Sequence, residues 1–134
     1  MKLAGNFMIA SALESMGEAA ALARAYGVTA RQLLEILTTT LFAAPVYQVY
    51  GRLIAEQRYT PAGFPLALGL KDVRLALQAG EARHVPLPFA SVLRDRFLEA
   101  VAAGKSDHDW SSIAELAARY AAVPGSAAPG DSGG

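Results

Sequence analysis

The chain has 134 residues, a length that suits one domain with a real hydrophobic core. Hydrophobic residues make up 53% and charged residues 18%, which excludes intrinsic disorder for its bulk, and the absence of cysteine excludes disulfides, thiolate chemistry and cysteine-based zinc sites. The 12 basic and 12 acidic residues cancel and form no block, which argues against a phosphate-neutralising surface and against nucleic acid as a partner.

Helical spacing recurs along the chain, and no strand-like alternation of useful length occurs. The expected fold is therefore all-α, a single domain of about six helices with a long first helix buried on most faces. That first helix should run from about Lys2 to Tyr26, with Ala4, Ser11, Ala12, Ser15 and Ala19 letting neighbouring backbones come close. Glu14, Glu18 and Arg24 interrupt its apolar run, so it reads neither as a membrane span nor as a signal peptide. A soluble, cytoplasmic protein with no membrane partner is the expectation. Gly27 suits the position just past the helix, where positive φ costs glycine little. Thr29 and Gln32 form a T-x-x-Q capping box that opens a second helix through Leu33, Leu34, Ile36 and Leu37. Pro45 suits the first turn of a third helix, with Val46, Val49, Tyr50 and Leu53 as its inner stripe.

The stretch Tyr59-Thr60-Pro61-Ala62-Gly63-Phe64-Pro65 reads as a shaped loop, because Tyr59 and Phe64 are expensive to leave in water. A fourth helix is expected over about Leu66 to Ala82, with Leu66, Leu70, Val73 and Leu77 on one stripe. Pro86 and Pro88 set up a fifth, with a stripe of Phe89, Leu93, Phe97 and Val101, closed by Gly104. Ser106 to Trp110 reads as a turn, and Ser112 with Glu115 can cap a final helix ending near Tyr120. The helical domain should occupy residues 1–122, and the Pro/Gly/Ser-rich residues 123–134 a disordered tail.

Few residues offer chemistry. Lys2 and Asn6 are four apart, which puts an ammonium and an amide on one face of the first helix, about 6 Å apart along its axis. A lysine partly withdrawn from water suits general acid–base work on a carbonyl, and an amide can fix the oxygen. By spacing alone the pair reads more readily as a solvated terminal lysine and a nearby amide. Lys71 and Asp72 lie mid-helix among leucines, where a polar edge on an amphipathic helix is the simpler reading. Neither His84 nor His108 has partners at ligand spacing on a helix, so no metal site is expected. Asp107 and Asp109 read as turn and cap residues. No Gly-rich phosphate loop and no nucleophile elbow occur, so these residues alone do not make a complete enzyme.

Taken together, several segments resemble the C-terminal helical domain of the β-hydroxyacid dehydrogenases, the family of 3-hydroxyisobutyrate dehydrogenase, tartronate semialdehyde reductase and the glyoxylate/succinic semialdehyde reductases, related to 6-phosphogluconate dehydrogenase. The segments are Lys2-Leu3-Ala4-Gly5-Asn6-Phe7, Glu14 to Ala19, the Ala-Tyr-Gly-Val segment ending that helix, Phe64 to Ala76, Val85-Pro86-Leu87-Pro88 and the Asp107-to-Ser111 turn. The resemblance covers roughly residues 2 to 120. It implies that Lys2 is the catalytic lysine, protonating the carbonyl oxygen as hydride arrives, and that Asn6 holds the lysine or the substrate oxygen. It also implies that Lys71 reaches the cofactor near its nicotinamide end, that Asp72 anchors that segment, and that Phe64 lines the cofactor-facing wall.

Gly5 departs from the family pattern, since many members have an asparagine there. A Rossmann domain is absent from this chain, so the cofactor, NAD or NADP, would be bound mainly by that missing partner. The implied substrates are small β-hydroxyacids or aldehyde acids, and the implied assembly is a homodimer or higher oligomer. Two alternatives stand beside this one: a non-catalytic helical dimerisation module, and an imine-reductase-like domain, against which Lys2 argues.

Overall fold

The computed structural model describes residues 1–121; the tail expected over 123–134 lies outside the described residues. Six α-helices follow in order: α1 (Lys2–Ala25), α2 (Ala30–Thr38), α3 (Pro45–Glu56), α4 (Leu66–Ala82), α5 (Pro88–Ala102) and α6 (Ala114–Ala118), the last entered through a 3₁₀ turn, Trp110–Ile113. Among the described residues no strand forms, only a single bridge between Pro65 and Asp109.

The helix ends follow local chemistry. Gly27, at φ 88°, closes α1: its N–H donates to Arg24 O and that of Val28 to Ala23 O, both at 3.0 Å. The Thr29–Gln32 capping box is present in both directions. Pro45 stands in the first turn of α3, and Gly104, at φ 82°, closes α5. His84 closes α4 in the left-handed region at φ 56°, a conformation histidine tolerates better than most residues.

The core gathers around the middle of α1. Leu13, Leu66, Leu93, Phe97, Ile113 and Leu116 are sealed from solvent, with Ala10, Met16, Val73 and Trp110 beside them. Three glycines make room for close neighbours, Gly17 for backbone and the other two for side chains. A Cβ on Gly17 would lie 2.6 Å from Ala114 Cα, one on Gly69 2.7 Å from Phe97 Cε1, and one on Gly51 3.3 Å from Thr38 Cγ2. On α1, Gly17 thus makes a close approach to α6; of the small residues proposed from sequence, Ala12 is buried, while Ala4 and Ser15 are exposed.

Three sequence expectations need correction. The inner side of α3 is formed by Gly51 and Ile54 with Tyr47 and Tyr50 packed behind, while Val49 points outward, because the helix seats its glycine against α1 and α2. Phe89 is exposed, and the buried stripe of α5 runs through Ala90, Leu93, Phe97 and Ala100. Ser112 does not cap α6: it lies inside the 3₁₀ turn, whose cap is Asp109, accepting from Ser111 N. In addition α1 is buried only along its middle; Met1, Lys2, Ala4, Gly5 and Met8 face outward.

Candidate functional site

The start of α4 is fixed from a distance. Its first backbone N–H groups have no intrahelical acceptor, and the turn before Trp110 supplies acceptors: Leu66 N donates to His108 O at 2.8 Å and Ala67 N to Ser106 O at 3.2 Å. Asp109 completes the clasp. It is 2% exposed; its Oδ2 accepts from the N–H groups of Gly63 and Phe64, both at 3.1 Å, and its Oδ1 from Ser111 N and Oγ. Asp109 N donates to Tyr59 O at 2.8 Å, and Trp110 N to Phe64 O at 2.9 Å. The loop through Phe64 is thereby sewn to the turn through Asp109, and the Phe64 ring rests on Trp110 with centroids 4.4 Å apart.

This clasp sets the position of α4, and α4 carries Lys71 and Asp72. Lys71 is exposed, with Leu68 and Leu75 on the same outward face, one turn before and one turn after it. Asp72 turns toward α1 and accepts from Asn6 Nδ2 at 2.7 Å. Of the five residues singled out from sequence, the structure joins two, Asn6 of α1 and Asp72 of α4; Lys2 lies one turn before Asn6 on α1, and Lys71 stands next to Asp72 in α4 on its exposed face. Phe64 sits apart from them, before α4, packed on Trp110.

The hydrogen bond decides what Asn6 can do. One of its two amide N–H groups is committed to Asp72, leaving a second N–H and Oδ1. Oδ1 is the atom able to accept from an ammonium, and Lys2 lies one turn back on the same helix. Among the described residues, no carboxylate pairs with Lys2 or Lys71. Helices α1 and α4 therefore offer, among the described residues, two cations without a carboxylate partner, an oriented amide and exposed leucines. An ammonium and an amide can each bind a carbonyl oxygen or a carboxylate; no Gly-rich loop is present for a pyrophosphate.

Asp109 is the residue whose reach the sequence did not disclose. Its cap of the following turn is local and legible, whereas its grip on Gly63 and Phe64 spans about 46 residues and has no signature. A second buried carboxylate, Glu14 on α1, faces α5 and accepts from Arg96 Nε at 2.8 Å. Burial pushes its carboxyl above the usual range, with the Arg96 charge pulling the other way. Among the described residues, no helix is long and apolar enough to cross a membrane.

A solved 3-hydroxyisobutyrate dehydrogenase from Salmonella typhimurium superposes with a TM-score of 0.78 at 23% identity, over 86% of this chain and 40% of that one, which establishes the fold. Residues 1–117 match the family described as NAD-binding of NADP-dependent 3-hydroxyisobutyrate dehydrogenase, and the chain belongs to that family. Among curated relatives, the uncharacterised oxidoreductase YfjR of Bacillus subtilis (strain 168) is 40% identical over 112 residues, 84% of this chain. Glyoxylate/succinic semialdehyde reductase 1 of Arabidopsis thaliana is 33% identical over 115 residues, 86% of this chain. The chain spans 39% of the length of each of these two relatives.

Proposed function

We propose that residues 1–122 are the C-terminal helical domain of an NAD(P)-dependent β-hydroxyacid dehydrogenase or aldehyde-acid reductase, acting with a Rossmann domain in the cytoplasm. The observation that supports this reading is the hydrogen bond between Asn6, one turn after Lys2, and Asp72, the neighbour of Lys71. Relatives named as reductases of glyoxylate, succinic semialdehyde and 2-hydroxy-3-oxopropionate support the substrate class.

The nicotinamide, when bound, supplies or takes the hydride. This chain supplies the proton chemistry and part of the cofactor's surroundings. Lys2 Nζ gives a proton to the carbonyl oxygen on reduction and removes it from the hydroxyl on oxidation, a role for which a movable ammonium is suited. Asn6 orients that lysine or the substrate oxygen, and Asp72 acts as a positioning residue by holding Asn6. Lys71 binds the cofactor beside the nicotinamide, and Phe64, braced by Trp110, closes the wall behind it.

Exposed Leu68, Leu75, Phe89 and Val92 suit covering by the Rossmann domain and by a second copy of the chain. The test is reconstitution. The chain alone should show no NAD(P)H turnover, since orientation of the cofactor needs a pyrophosphate site. Joined to the part of its Bacillus relative that it does not match, it should reduce glyoxylate or succinic semialdehyde. Turnover by the isolated chain, or a folded chimera that reduces neither, would overturn the proposal.

A further inference from the structure

A cleft of about 210 Å³ opens between α1 and α5, lined by none of the residues assigned to the reductase chemistry. Its α1 wall carries Ser11, Glu14, Ser15 and Glu18, which fall at i, i+3, i+4 and i+7 and so share one helix face. Its α5 wall is apolar: Phe89, Val92 and Leu93, with Phe89 71% exposed.

The hydrogen bonds already made along that α1 face decide what the cleft can take. Ser11 Oγ donates to Phe7 O at 2.9 Å and Ser15 Oγ to Ala12 O at 3.1 Å. Both hydroxyl protons are thus committed to the helix, and each oxygen keeps only acceptor capacity. Glu14 is 7% exposed; its Oε1 accepts from Arg96 Nε, whereas its Oε2 has no donor among the described residues. Glu18, one turn on, pairs with no cation among the described residues. Three carboxylates, Glu14, Glu18 and Glu99, therefore stand beside two guanidiniums. Arg96 reaches Glu14 at 2.8 Å and Glu99 at 3.4 Å, and Arg119 reaches Glu99 at 3.9 Å, which leaves the charge of Glu18 over. The side chains of the cleft present four acceptor groups, an apolar wall and no donor.

A ligand matched to that set carries only donors and a positive charge, on an apolar stem. An alkylammonium has three N–H donors and no acceptor. Its methylenes suit Val92 and Leu93, and its charge is attracted to an aromatic ring such as that of Phe89. We propose that the α1–α5 cleft is a binding site for a short aliphatic diamine. Glu14 and Glu18 are about 6 Å apart along the helix axis, the span of two nitrogens joined by four carbons. At about 30 Å³ for each water-sized group, 210 Å³ holds about seven non-hydrogen atoms.

The experiment titrates the full chain with 1,4-diaminobutane, reading the heat of binding and the melting temperature, beside 1,4-butanediol and succinate as neutral and anionic probes of similar length. The diamine should bind saturably and raise the melting temperature as its concentration grows; the diol and the dianion should do neither. Glu18→Gln removes the leftover charge and puts a donor among the acceptors, and should weaken the diamine about tenfold or more. Ser15→Ala should weaken it less. Both positions are exposed, so both variants should melt with the parent when no diamine is present. Absence of saturable diamine binding, equal binding of the diol, or a Glu18→Gln chain that binds the diamine as well as the parent overturns the inference. Phe89 and Val92 also belong to the face expected to meet a second copy; an assembly that seals the cleft and takes up no diamine overturns it as well.

Discussion

Asn6 on α1 and Asp72 on α4 are 66 positions apart in sequence, and Asn6 Nδ2 donates to Asp72 Oδ2 at 2.7 Å. Both residues are half-buried, so the bond is shielded enough to matter and close enough to solvent to be dispensable for folding. Hydrogen bonds to a charged group contribute roughly 1.5–3 kcal/mol, with partly exposed ones at the lower end. Asn6→Ala and Asp72→Ala should each cost about 1–2 kcal/mol in urea unfolding, and the double variant should cost little more than either alone. Additive losses in that cycle would show that the two side chains do not act as a pair.

Asp109 predicts a larger effect. Its carboxylate accepts from four donors, three of them backbone N–H groups, and no solvent reaches it to replace the loss. Asp109→Ala should cost at least about 3 kcal/mol and release the Phe64 loop. Limited proteolysis should then cut between Tyr59 and Pro65, a segment resistant in the parent.

Glu14 gives the protein a pH dependence of defined sign. Its folded carboxyl titrates above the ordinary 4.5 because burial disfavours the charged form. Between those two values the folded state binds more protons than the unfolded one, so Glu14 favours folding at low pH and this contribution is lost as pH rises through the raised value. Glu14→Gln should flatten that part of the stability profile. Arg96→Met should cost about 3 kcal/mol at pH 7 by leaving a buried carboxylate unpaired, and the cost should shrink as pH falls toward the value at which Glu14 protonates. Urea unfolding across pH 4 to 7 reads both.

Self-association follows from what the helices leave uncovered. Phe89 and Val92 on α5 and Leu68 and Leu75 on α4 stay exposed, and burying such surface returns about 25 cal/mol per Å². Sedimentation at micromolar concentration should show a dimer or larger species. A monomer at every concentration would remove a second copy from the proposal.

The helices were legible because their ends carry local signals: Gly27, the Thr29–Gln32 box, Pro45 and Gly104 each act within one turn. The inward faces were less so. Val49 and Phe89 look like core residues by spacing, yet they face out, because Gly51 on α3 and Ala90 on α5 let the backbone itself approach its neighbours. The candidate residues could be picked out from motifs, but their pairing could not. That Asn6 donates a hydrogen bond to Asp72, and that Asp109 holds the loop before α4, are consequences of tertiary packing between segments tens of residues apart.

If Lys2 handles the proton while Lys71 holds the cofactor, paired kinetics of Lys2→Ala and Lys71→Ala in the reconstituted enzyme should separate the two roles. Lys2→Ala should lower kcat on the order of 10²–10⁴-fold, the usual worth of a general acid, with the KM for NAD(P)H nearly unchanged. Lys71→Ala should raise that KM first and leave kcat the less affected. A Lys2→Ala enzyme with parental kcat, or the two variants with their phenotypes exchanged, would contradict the account.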